Sequence, residues 1–385
     1  MHGRAMNIQA DTMRKPLAAA ASPALAIIVP TFNEARNVVA LVTALDAALV
    51  GIPHEVVFVD DWSTDGTPEI VADMARARAD VRLIRRYARR GLSSAVVEGA
   101  LATTAPVVAI IDGDLQHDET ILPMLYAAVA VGEDGTVRAD IAVGTRYAPG
   151  GSTGDWDAGR VRMSTLATRA ARALTSIPVS DPMSGYFAMR TDTLVALVPR
   201  LSVLGFKILL DILMSAPAPL VVREVPYRFR TRIAGTSKLD TAVALDLVLL
   251  VLDKRVGRWI PPRLILFGAV GGFGLLVHLA LLRLFLGAGQ AFQGAQALAV
   301  TLTIVVNFGL NNQLTFRDRR LRGRALIGGL LSFYLVCGLG AIANVGIGSV
   351  IYASHYEWWL AGTAGAVIGS IWNYAASSIV TWKKR

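Results

Sequence analysis

Two carboxylates and an amide stand close together in the segment Asp112–His117, which follows the apolar run Val107–Ile111. Asp112 and Asp114 are two positions apart, so both side chains leave the end of a predicted strand on the same side. Gln116 adds a neutral oxygen at the next alternate position. Three oxygen ligands at an open strand end suit a hard divalent cation that completes its coordination with nucleotide phosphates. The segment equally fits a polar turn, because Asp-Gly is common in turns.

The elements that must position these residues alternate between strand and helix. Short runs rich in β-branched residues are followed by stretches with helical periodicity. This alternation predicts an α/β domain with a mostly parallel, Rossmann-like sheet and helices on both faces. The predicted strands are Ala24–Val29, Glu55–Val59, Val81–Ile84, Val107–Ile111 and Asp140–Val143. The predicted helices are 34–50, 67–79, 92–104 and 119–132.

Two further polar motifs directly follow predicted strands. Residues 30–34 (Pro-Thr-Phe-Asn-Glu) follow the first strand, and residues 60–67 (Asp-Asp-Trp-Ser-Thr-Asp-Gly-Thr) follow the second. Ligands of such sheets bind beyond the carboxyl ends of the strands, so the shared location favours one binding site. A strand-end carboxylate such as that of Asp61 can accept hydrogen bonds from a ribose or a nucleobase. Residues 63–67 equally fit a turn and a helix N-cap.

The composition indicates that part of the chain lies in a lipid bilayer. Charged residues make up 17% of the chain, against about 25% in typical soluble domains. Between residues 264 and 382 the only acidic residues are Asp318 and Glu357. The net charge is +9, but the basic residues stand just outside apolar segments. This distribution favours the flanks of membrane spans over a nucleic-acid-binding surface, so we expect no nucleic-acid partner.

Long apolar segments in the last third of the chain can each cross a hydrocarbon core of about 30 Å, which takes about 20 residues. The loop at 315–325 carries five arginines, whereas the loops at 287–294 and 354–358 carry almost no charge. The positive-inside rule therefore places the arginine-rich loop, both termini and the α/β domain in the cytoplasm, with the plasma membrane of a prokaryote as the expected location. The four segments are 264–286, 295–314, 326–353 and 359–382.

The ends of these two regions give weaker signals. Residues 1–23 are predicted to be a disordered tail rather than a signal peptide, because the apolar run there continues directly into a polar motif. Residues 237–262 alternate apolar and charged positions and end at Pro261–Pro262, which predicts an amphipathic helix on the membrane surface. Cys337 is the only cysteine, so no internal disulfide can form. A single cysteine fits a reducing compartment.

Six motifs occur in a fixed order, and this order resembles the polyprenyl-phosphate sugar synthases of glycosyltransferase family 2, of the dolichol-phosphate mannose synthase type. Residues 308–316 resemble part of the GtrA-like four-helix membrane domain. The resemblance implies a GT-A catalytic domain at 24–236, interfacial amphipathic helices at 237–262 and a GtrA-like transmembrane domain at 263–385. The six motifs are 30–34, 60–67, 112–117, Gly144–Tyr147, Asp181–Tyr186 and Arg232–Lys238.

The resemblance also implies a reaction and its site residues. It implies metal-dependent, inverting transfer of one sugar from a nucleotide sugar to polyprenyl or dolichyl phosphate, with GDP-mannose expected first and UDP-glucose or another UDP-sugar as the alternative. Mg²⁺ or Mn²⁺ would be held by Asp112, Asp114 and Gln116. The residues expected to contact the nucleotide sugar, besides the metal ligands, are Pro30, Phe32, Glu34, Val59, Asp61, Gly113, Arg232 and Lys238. The residues expected to act in catalysis are Asp114, Arg146, Arg232 and Lys238.

Several positions depart from the family pattern. Trp62 stands where glycine is usual, Gly113 replaces alanine and Phe32 replaces tyrosine. Residues 90–93 only approximate the usual Gly-Leu-Gly loop. These departures bear on the identity of the donor more than on the type of reaction. Trp62 either stacks near the base or fills a groove.

Two alternatives to this function differ in their sequence signals. A processive polysaccharide synthase would carry Gln-x-x-Arg-Trp, but Arg255 stands where that glutamine belongs before Arg258–Trp259. A lipid-linked sugar flippase or scaffold would need only a degenerate transferase domain. The intact set of Asp112, Asp114 and Gln116 argues against such a degenerate domain.

Overall fold

The computed structural model describes residues 22–87, 91–132, 135–154, 158–175, 177–202, 207–231, 240–257, 259–354 and 358–383. The chain divides into two compact units, Met1–Lys238 and Leu239–Arg385, and each is described by itself. Residues 1–21 of the predicted tail lie outside the described residues.

A seven-stranded sheet forms the centre of the first unit. Its strands are β1 Leu25–Thr31, β2 His54–Asp60, β3 Val81–Arg85, β4 Val107–Ile110, β5 Ile141–Thr145, β6 Phe187–Arg190 and β7 Val222–Pro226. The spatial order is β3-β2-β1-β4-β6-β5-β7. All pairs are parallel except those of β6, which runs antiparallel to both β4 and β5. The carboxyl ends of β1 to β5 and of β7 therefore lie at the same end of the sheet.

Helices cover both faces of this sheet. Residues 25–29 of β1 are fully buried, and such uninterrupted apolar runs are typical of parallel strands that are covered on both sides. One core cluster includes Leu41 and Leu125 from the helices on one face, and the other includes Val96 and Leu209 from those on the opposite face. The helices are α1 Val38–Ala48, α2 Thr67–Ala77, α3 Leu92–Leu101, α4 Leu122–Val129, α5 Ala158–Leu174, α6 Thr191–Leu197 and α7 Ile208–Ser215.

The predicted fold class of the first unit is confirmed. All five predicted strands are present, with ends displaced by at most two residues. The strands β6 and β7 were not predicted. β6 has only four residues, and β7 is a partly exposed strand at the sheet edge that ends in Pro226. Neither has the length or the regular apolar pattern that identifies a strand from sequence.

Helices build the second unit. The predicted apolar segments coincide with its last four helices, and a further helix occupies most of the segment predicted to lie on the membrane surface. Within the described residues, Pro262–Gly287 and Phe292–Thr315 are long and apolar enough to cross a membrane, with mean hydropathies of 2.2 and 1.3. The helices are α8 Asp240–Val256, α9 Pro262–Gly287, α10 Phe292–Leu310, α11 Arg324–Ala353 and α12 Trp358–Ala376.

An aromatic cluster closes the second unit at the end of the chain. Trp382 is fully buried and stacks on Phe316, with ring centroids 4.2 Å apart. Its Nε1 donates to Oδ1 of Asn312 at 3.0 Å, and the same oxygen accepts from the amide of Leu321 at 2.8 Å. Arg319 Nη1 donates to the carbonyl of Trp382 at 3.1 Å. These contacts tie the end of the chain to the loop that follows α10.

Candidate active site

The polar motifs that follow β1 and β2 lie side by side, as predicted. Thr31 and Asp60 are paired in register, and the amide of Asp61 donates to the carbonyl of Thr31 at 2.9 Å. Beyond the strands, the amide of Asn33 donates to Oγ of Ser63 at 2.8 Å. The sheet register and the turn contacts together make one continuous surface of the two motifs.

The motif that follows β4 adjoins the first of these. A Cβ on Gly113 would lie 3.4 Å from Cγ2 of Thr31 and 3.6 Å from Cγ of Glu34. The amide of Glu34 donates to Oγ1 of Thr67 at 2.9 Å, and its Oε2 accepts from Nδ2 of Asn37 at 2.7 Å. Glu34 and Gly113, both predicted to contact the nucleotide sugar, are therefore neighbours.

Each of the three motifs contains a non-glycine residue in the left-handed region. The φ values are 59° for Asn33, 63° for Trp62 and 62° for Leu115. Asparagine adopts this region readily, whereas larger side chains do so at a cost of roughly 1–2 kcal/mol. The conformation of Trp62 explains why glycine is usual there. Its ring is 41% exposed and packs edge-on against Tyr87, with centroids 4.8 Å apart.

The predicted metal ligands are held in different ways. Asp112 is 36% exposed at its side chain, whereas Asp114 and Gln116 are buried. Oδ1 of Asp114 accepts the amide of Gln116 at 3.2 Å. Nε2 of Gln116 donates to the carbonyl of Arg230 at 3.0 Å, and the amide of Arg230 donates back to the carbonyl of Gln116 at 2.8 Å. Gln116 is thus fixed by the segment that follows β7.

The donor set fits a hard divalent cation. Carboxylate and carboxamide oxygens are the ligands that Mg²⁺ and Mn²⁺ prefer. A Cβ on Gly185 would lie 3.2 Å from Oδ2 of Asp112, so the backbone approaches this carboxylate more closely than another residue would allow. Asp112, Asp114 and Gln116 therefore suit the metal-binding role, which stays a prediction.

His117 contacts the carboxylate of Asp112. Its Nε2 lies 3.1 Å from Oδ2 of Asp112, and its Nδ1 lies 2.7 Å from the hydroxyl of Tyr227. The ring is buried among three aromatic rings, those of Tyr186, Tyr227 and Phe229, at centroid distances of 5.0 to 5.7 Å. The sequence motif contained this histidine, but the sequence analysis gave it no role.

Arg146 follows β5 at the same end of the sheet as the three motifs. Its Nε and Nη2 donate to the two oxygens of the fully buried Asp181, at 2.8 and 3.1 Å. Burial lowers the pKa of Arg146, but the charge and hydrogen bonds of Asp181 outweigh this effect and raise it. The guanidinium also lies 5.4 Å from the ring centre of Phe229. The result is a permanent, fixed positive charge.

Lys207 adds a second cation to this region. Its Nζ donates to the carbonyl of Met183 at 3.0 Å. Burial and the charge of Arg146 lower its pKa, while the carboxylates of Asp181 and Asp112 act in the opposite direction. The lysine amine therefore lies within electrostatic reach of both the Arg146 pair and a predicted metal ligand.

Asp61 is engaged by groups of its own chain. Its Oδ1 accepts from Nη1 of Arg86 at 2.7 Å, and its Oδ2 accepts from the amide of Gly91 at 2.7 Å. Burial raises the pKa of Asp61 and outweighs the opposing effects of Gly91 and Arg86. These contacts join the end of β2 to the segment before α3. The predicted contact of Asp61 with a nucleotide stays a prediction.

A different group of possible metal ligands lies away from these motifs. One ligand atom each of Asp46, His54 and Asp80 lies within 4.8 Å of the others. However, Arg78 donates to both carboxylates, at 2.6 and 2.8 Å to Asp46 and at 2.6 and 3.1 Å to Asp80. The guanidinium already supplies the positive charge that this cluster requires, so the cluster is a structural salt bridge.

Comparison with known proteins covers both units. The model of the family described as glycosyl transferase family 2 matches residues 26–196. The model described as GtrA/DPMS, transmembrane domain, matches residues 266–382. A dolichol-phosphate mannosyltransferase of Pyrococcus furiosus is 33% identical over 362 residues, which is 93% of this chain and 99% of the relative. The chain belongs to glycosyl transferase family 2.

Further proteins are similar to part of this glycosyltransferase. The dolichol-phosphate mannosyltransferase of Saccharomyces cerevisiae is 36% identical over 63% of this chain and 90% of the relative. A solved structure of glucosyl-3-phosphoglycerate synthase from Mycobacterium tuberculosis, in complex with Mn²⁺, UDP-glucose and phosphoglyceric acid, aligns with a TM-score of 0.45 and 20% identity, covering 63% of this chain and 81% of that one. The protein is a homologue of the dolichol-phosphate mannosyltransferases and carries a GtrA-type transmembrane domain.

The remaining predicted site residues of the glycosyltransferase have varied positions. Pro30 and Phe32 are half-buried at the end of β1 and beyond it. Val59 is fully buried in β2, where its side chain belongs to the core. Arg232 and Lys238 lie outside the described residues. The predicted contacts of all five with substrate stay predictions.

The sequence analysis missed four residues that complete the site. His117 could have been found, because it stands inside the metal motif. Arg86, Lys207 and Tyr227 stand in no motif that was recognised. Each meets its partner through tertiary structure, across 25 residues for Arg86 with Asp61 and across 110 residues for Tyr227 with His117.

Proposed function

We propose that this glycosyltransferase transfers a single sugar from a nucleotide sugar to polyprenyl or dolichyl phosphate. GDP-mannose is the donor that we expect. The observation that carries the proposal is the convergence of three strand-end motifs with Arg146 at one end of the sheet. The names of the relatives, dolichol-phosphate mannosyltransferase, support mannose as the sugar and a lipid phosphate as the acceptor.

The chemistry of the acceptor simplifies what the protein must provide. A phosphate monoester is already anionic near neutral pH, so its oxygen can attack the sugar without a general base. One in-line displacement inverts the anomeric centre and gives a β-linked product from an α-linked donor. The chain must hold the two substrates in line and stabilise the departing nucleoside diphosphate.

Asp112, Asp114 and Gln116 are the residues that would hold Mg²⁺ or Mn²⁺, a Lewis acid that neutralises charge on the diphosphate leaving group. Arg146 is fixed by two hydrogen bonds to Asp181 and directs a permanent positive charge at the same region. We further propose that Arg232 and Lys238 bind phosphate groups.

The nucleoside would bind beside β1 and β2. Five residues of the first two motifs and of the metal motif would supply the pocket, together with Val59 near the end of β2. The backbone amide of Glu34 donates to Thr67, and its side-chain Oε2 accepts from Asn37. A carboxylate has capacity to accept further hydrogen bonds from a nucleoside. The residues proposed to line the base and ribose are Pro30, Phe32, Glu34, Val59, Asp61 and Gly113.

The membrane unit brings the enzyme to its acceptor. A polyprenyl phosphate keeps its chain in the bilayer and its phosphate at the surface, so a multi-pass anchor confines enzyme and acceptor to one interface. We propose that both termini, the 315–325 loop and the catalytic unit lie in the cytoplasm, at the plasma membrane of a prokaryote. The five arginines of that loop support this orientation.

The test uses purified full-length protein in detergent with Mn²⁺ and polyprenyl phosphate. Labelled GDP-mannose and labelled UDP-glucose are supplied in parallel, and transfer into the lipid fraction is measured. We expect transfer from GDP-mannose, with the β configuration shown by NMR of the product. Transfer from UDP-glucose alone would show that UDP-glucose, and not GDP-mannose, is the donor. No transfer from any nucleotide sugar would refute the proposed reaction.

Asp114→Ala tests the metal assignment within the same assay. Loss of a carboxylate ligand should reduce transfer at least 100-fold, because the leaving-group charge is no longer neutralised. Asp118→Asn is the matched control, since its carboxylate pairs with Arg230 at the surface. Equal loss in both variants would indicate general disruption of the loop.

A further inference from the structure

We propose that His117 is a positioning residue that orients the carboxylate of Asp112 for the divalent cation, and that Tyr227 fixes the histidine in the tautomer this requires. This inference rests on the proposed function of Asp112 as a metal ligand. It assigns roles to two buried polar groups that lie behind the predicted ligands and that the proposed reaction does not otherwise use.

We assign one direction to each hydrogen bond, with Asp112 ionised and the imidazole neutral. Asp112 is an acceptor when ionised, so Nε2 of His117 must carry the proton in the 3.1 Å contact. A neutral imidazole then has Nδ1 as its acceptor, and the Tyr227 hydroxyl donates to it at 2.7 Å. Burial raises the pKa of Tyr227, so this phenol keeps its proton. The chain of donors therefore runs from Tyr227 through His117 to Asp112.

The surroundings prevent the histidine from adopting another orientation. Its ring is only 4% exposed and packs against Tyr186, Tyr227 and Phe229. A ring held on all sides presents Nε2 in one direction, which confines the carboxylate that it contacts.

The contact with His117 uses Oδ2 of Asp112. A Cβ built on Gly185 would lie 3.2 Å from this oxygen and 3.5 Å from Oδ1. The carboxylate is therefore confined by its surroundings, although the Asp112 side chain is 36% exposed. Partners that hydrogen-bond to ligating carboxylates in this way typically account for 10- to 100-fold in metal affinity.

Two substitutions of His117 separate the two hydrogen bonds. His117→Gln places an amide donor near the position of Nε2 and keeps the bond to Asp112. His117→Asn places its polar atoms near Nδ1, so it can meet Tyr227 but no longer reaches Asp112. Tyr227→Phe removes only the hydroxyl. Tyr186→Phe keeps the ring that packs against His117 and removes only a hydroxyl whose hydrogen bond goes to the carbonyl of Asp118, which makes it the matched control.

The first measurement is of Mn²⁺ binding to the full-length protein in detergent. EPR of the free ion reports the binding, and the titration is done once with Mn²⁺ alone and once with Mn²⁺ plus GDP. We expect His117→Asn to weaken Mn²⁺ binding about 10- to 100-fold. Tyr227→Phe should weaken it about three- to tenfold, the effect of losing one ordinary hydrogen bond. His117→Gln keeps a donor to Asp112 but loses the bond to Tyr227, so its loss should not exceed that of Tyr227→Phe. Tyr186→Phe keeps both hydrogen bonds of His117 and should stay within about threefold of the wild type.

The second measurement separates positioning from general damage. Raising the Mn²⁺ concentration should restore the transfer rate of His117→Asn, since the lost interaction acts through the metal. Equal Mn²⁺ affinity of His117→Asn and wild type, or equal weakening in His117→Asn and His117→Gln, would overturn the inference. Absence of Mn²⁺ binding by the wild type, or wild-type affinity in Asp114→Ala, would instead refute the metal site itself.

Discussion

At the scale of single residues, the site depends on side chains held by partners from distant parts of the chain. Arg146 is fixed by Asp181, and Asp61 is fixed by Arg86 and the amide of Gly91. Each of these groups is therefore already oriented by its own chain, which would lower the cost of ordering it in the proposed reaction. The pair of Arg146 with Asp181 should also contribute to stability, because Asp181 is completely buried.

Asp181→Asn should destabilise the protein by about 3 kcal/mol, because it leaves the charge of Arg146 without its partner in a buried position. The substitution keeps the shape of the side chain and removes only its charge. Thermal unfolding in detergent measures the loss. Asp192→Asn makes the same change in an exposed pair with Arg190 and should cost less than about 1 kcal/mol. Equal effects at the two positions would contradict the role of burial.

Trp62 tests the left-handed backbone at the end of β2. With φ at 63°, Trp62→Gly removes a steric cost and adds the entropy cost of glycine, so its stability should stay within about 1 kcal/mol of the wild type. Trp62→Val should lose about 1–3 kcal/mol, because a β-branched residue fits this region poorly. Thermal unfolding compares the two. A valine variant as stable as the glycine variant would show that the turn changes conformation.

The sequence was informative about the residue types of the site and less so about their partners. Asp112, Asp114 and Gln116 could be singled out because their spacing after a strand limits where they lie. The contact of His117 with Tyr227 spans 110 residues, and no local pattern encodes it. Similarly, the family pattern has glycine where this chain has Trp62. The left-handed backbone that favours glycine there is seen only in the structure, from the φ value of Trp62.

At the scale of elements, β1 to β5 were predictable from the sequence, and the two strands that complete the sheet, β6 and β7, were not. β1 to β5 carry apolar runs bounded by polar turns, the pattern that identifies buried strands. β6 is held by its neighbours rather than by its own sequence, since it is inserted antiparallel between β4 and β5. β7 leads into Tyr227 and Arg230, which contact the metal motif. The unpredicted elements therefore support the predicted ones at the site.

The junction of α1 with the segment between α2 and β3 depends on Arg78. Hydrogen bonds from this guanidinium lower the pKa values of Asp46 and Asp80. Carboxyls with a depressed pKa in the folded state stabilise the protein above their ordinary pKa of about 4, and this stabilisation is lost as the pH falls through the depressed values. Acidification should therefore weaken this junction.

Arg78→Met keeps most of the aliphatic stem and removes the charge. We expect the variant to be less stable than the wild type at pH 7, and the difference to shrink when unfolding midpoints are measured again near pH 3. The effect should be modest, because both aspartates are 38% exposed at their side chains. Arg76→Met, in an exposed pair with Asp73, is the control. A difference that grows on acidification would contradict this origin of the stability.

At the scale of the whole molecule, the transferase unit and the membrane unit match the two proposed substrates, which differ in solubility. The nucleotide sugar is soluble, and the polyprenyl phosphate is confined to the bilayer. The Pyrococcus furiosus relative spans 93% of this chain, so the two units occur together in both proteins. Their arrangement along the sequence could be predicted from composition, because acidic residues almost disappear after residue 263. The proposed orientation across the membrane is based on charge asymmetry and can be tested directly.

Single cysteines introduced on either side of the membrane test the orientation of the whole protein. In a Cys337→Ala background, Arg320→Cys and Gln290→Cys each place one thiol at an exposed position in loops that flank α10. The proposed topology predicts that a membrane-impermeant maleimide labels the Gln290→Cys protein in intact cells. It should label the Arg320→Cys protein only after permeabilisation, because the arginine-rich loop stays in the cytoplasm. The reverse labelling pattern would put the catalytic unit outside the cell, away from cytoplasmic nucleotide sugars, and would refute the proposed cytoplasmic reaction.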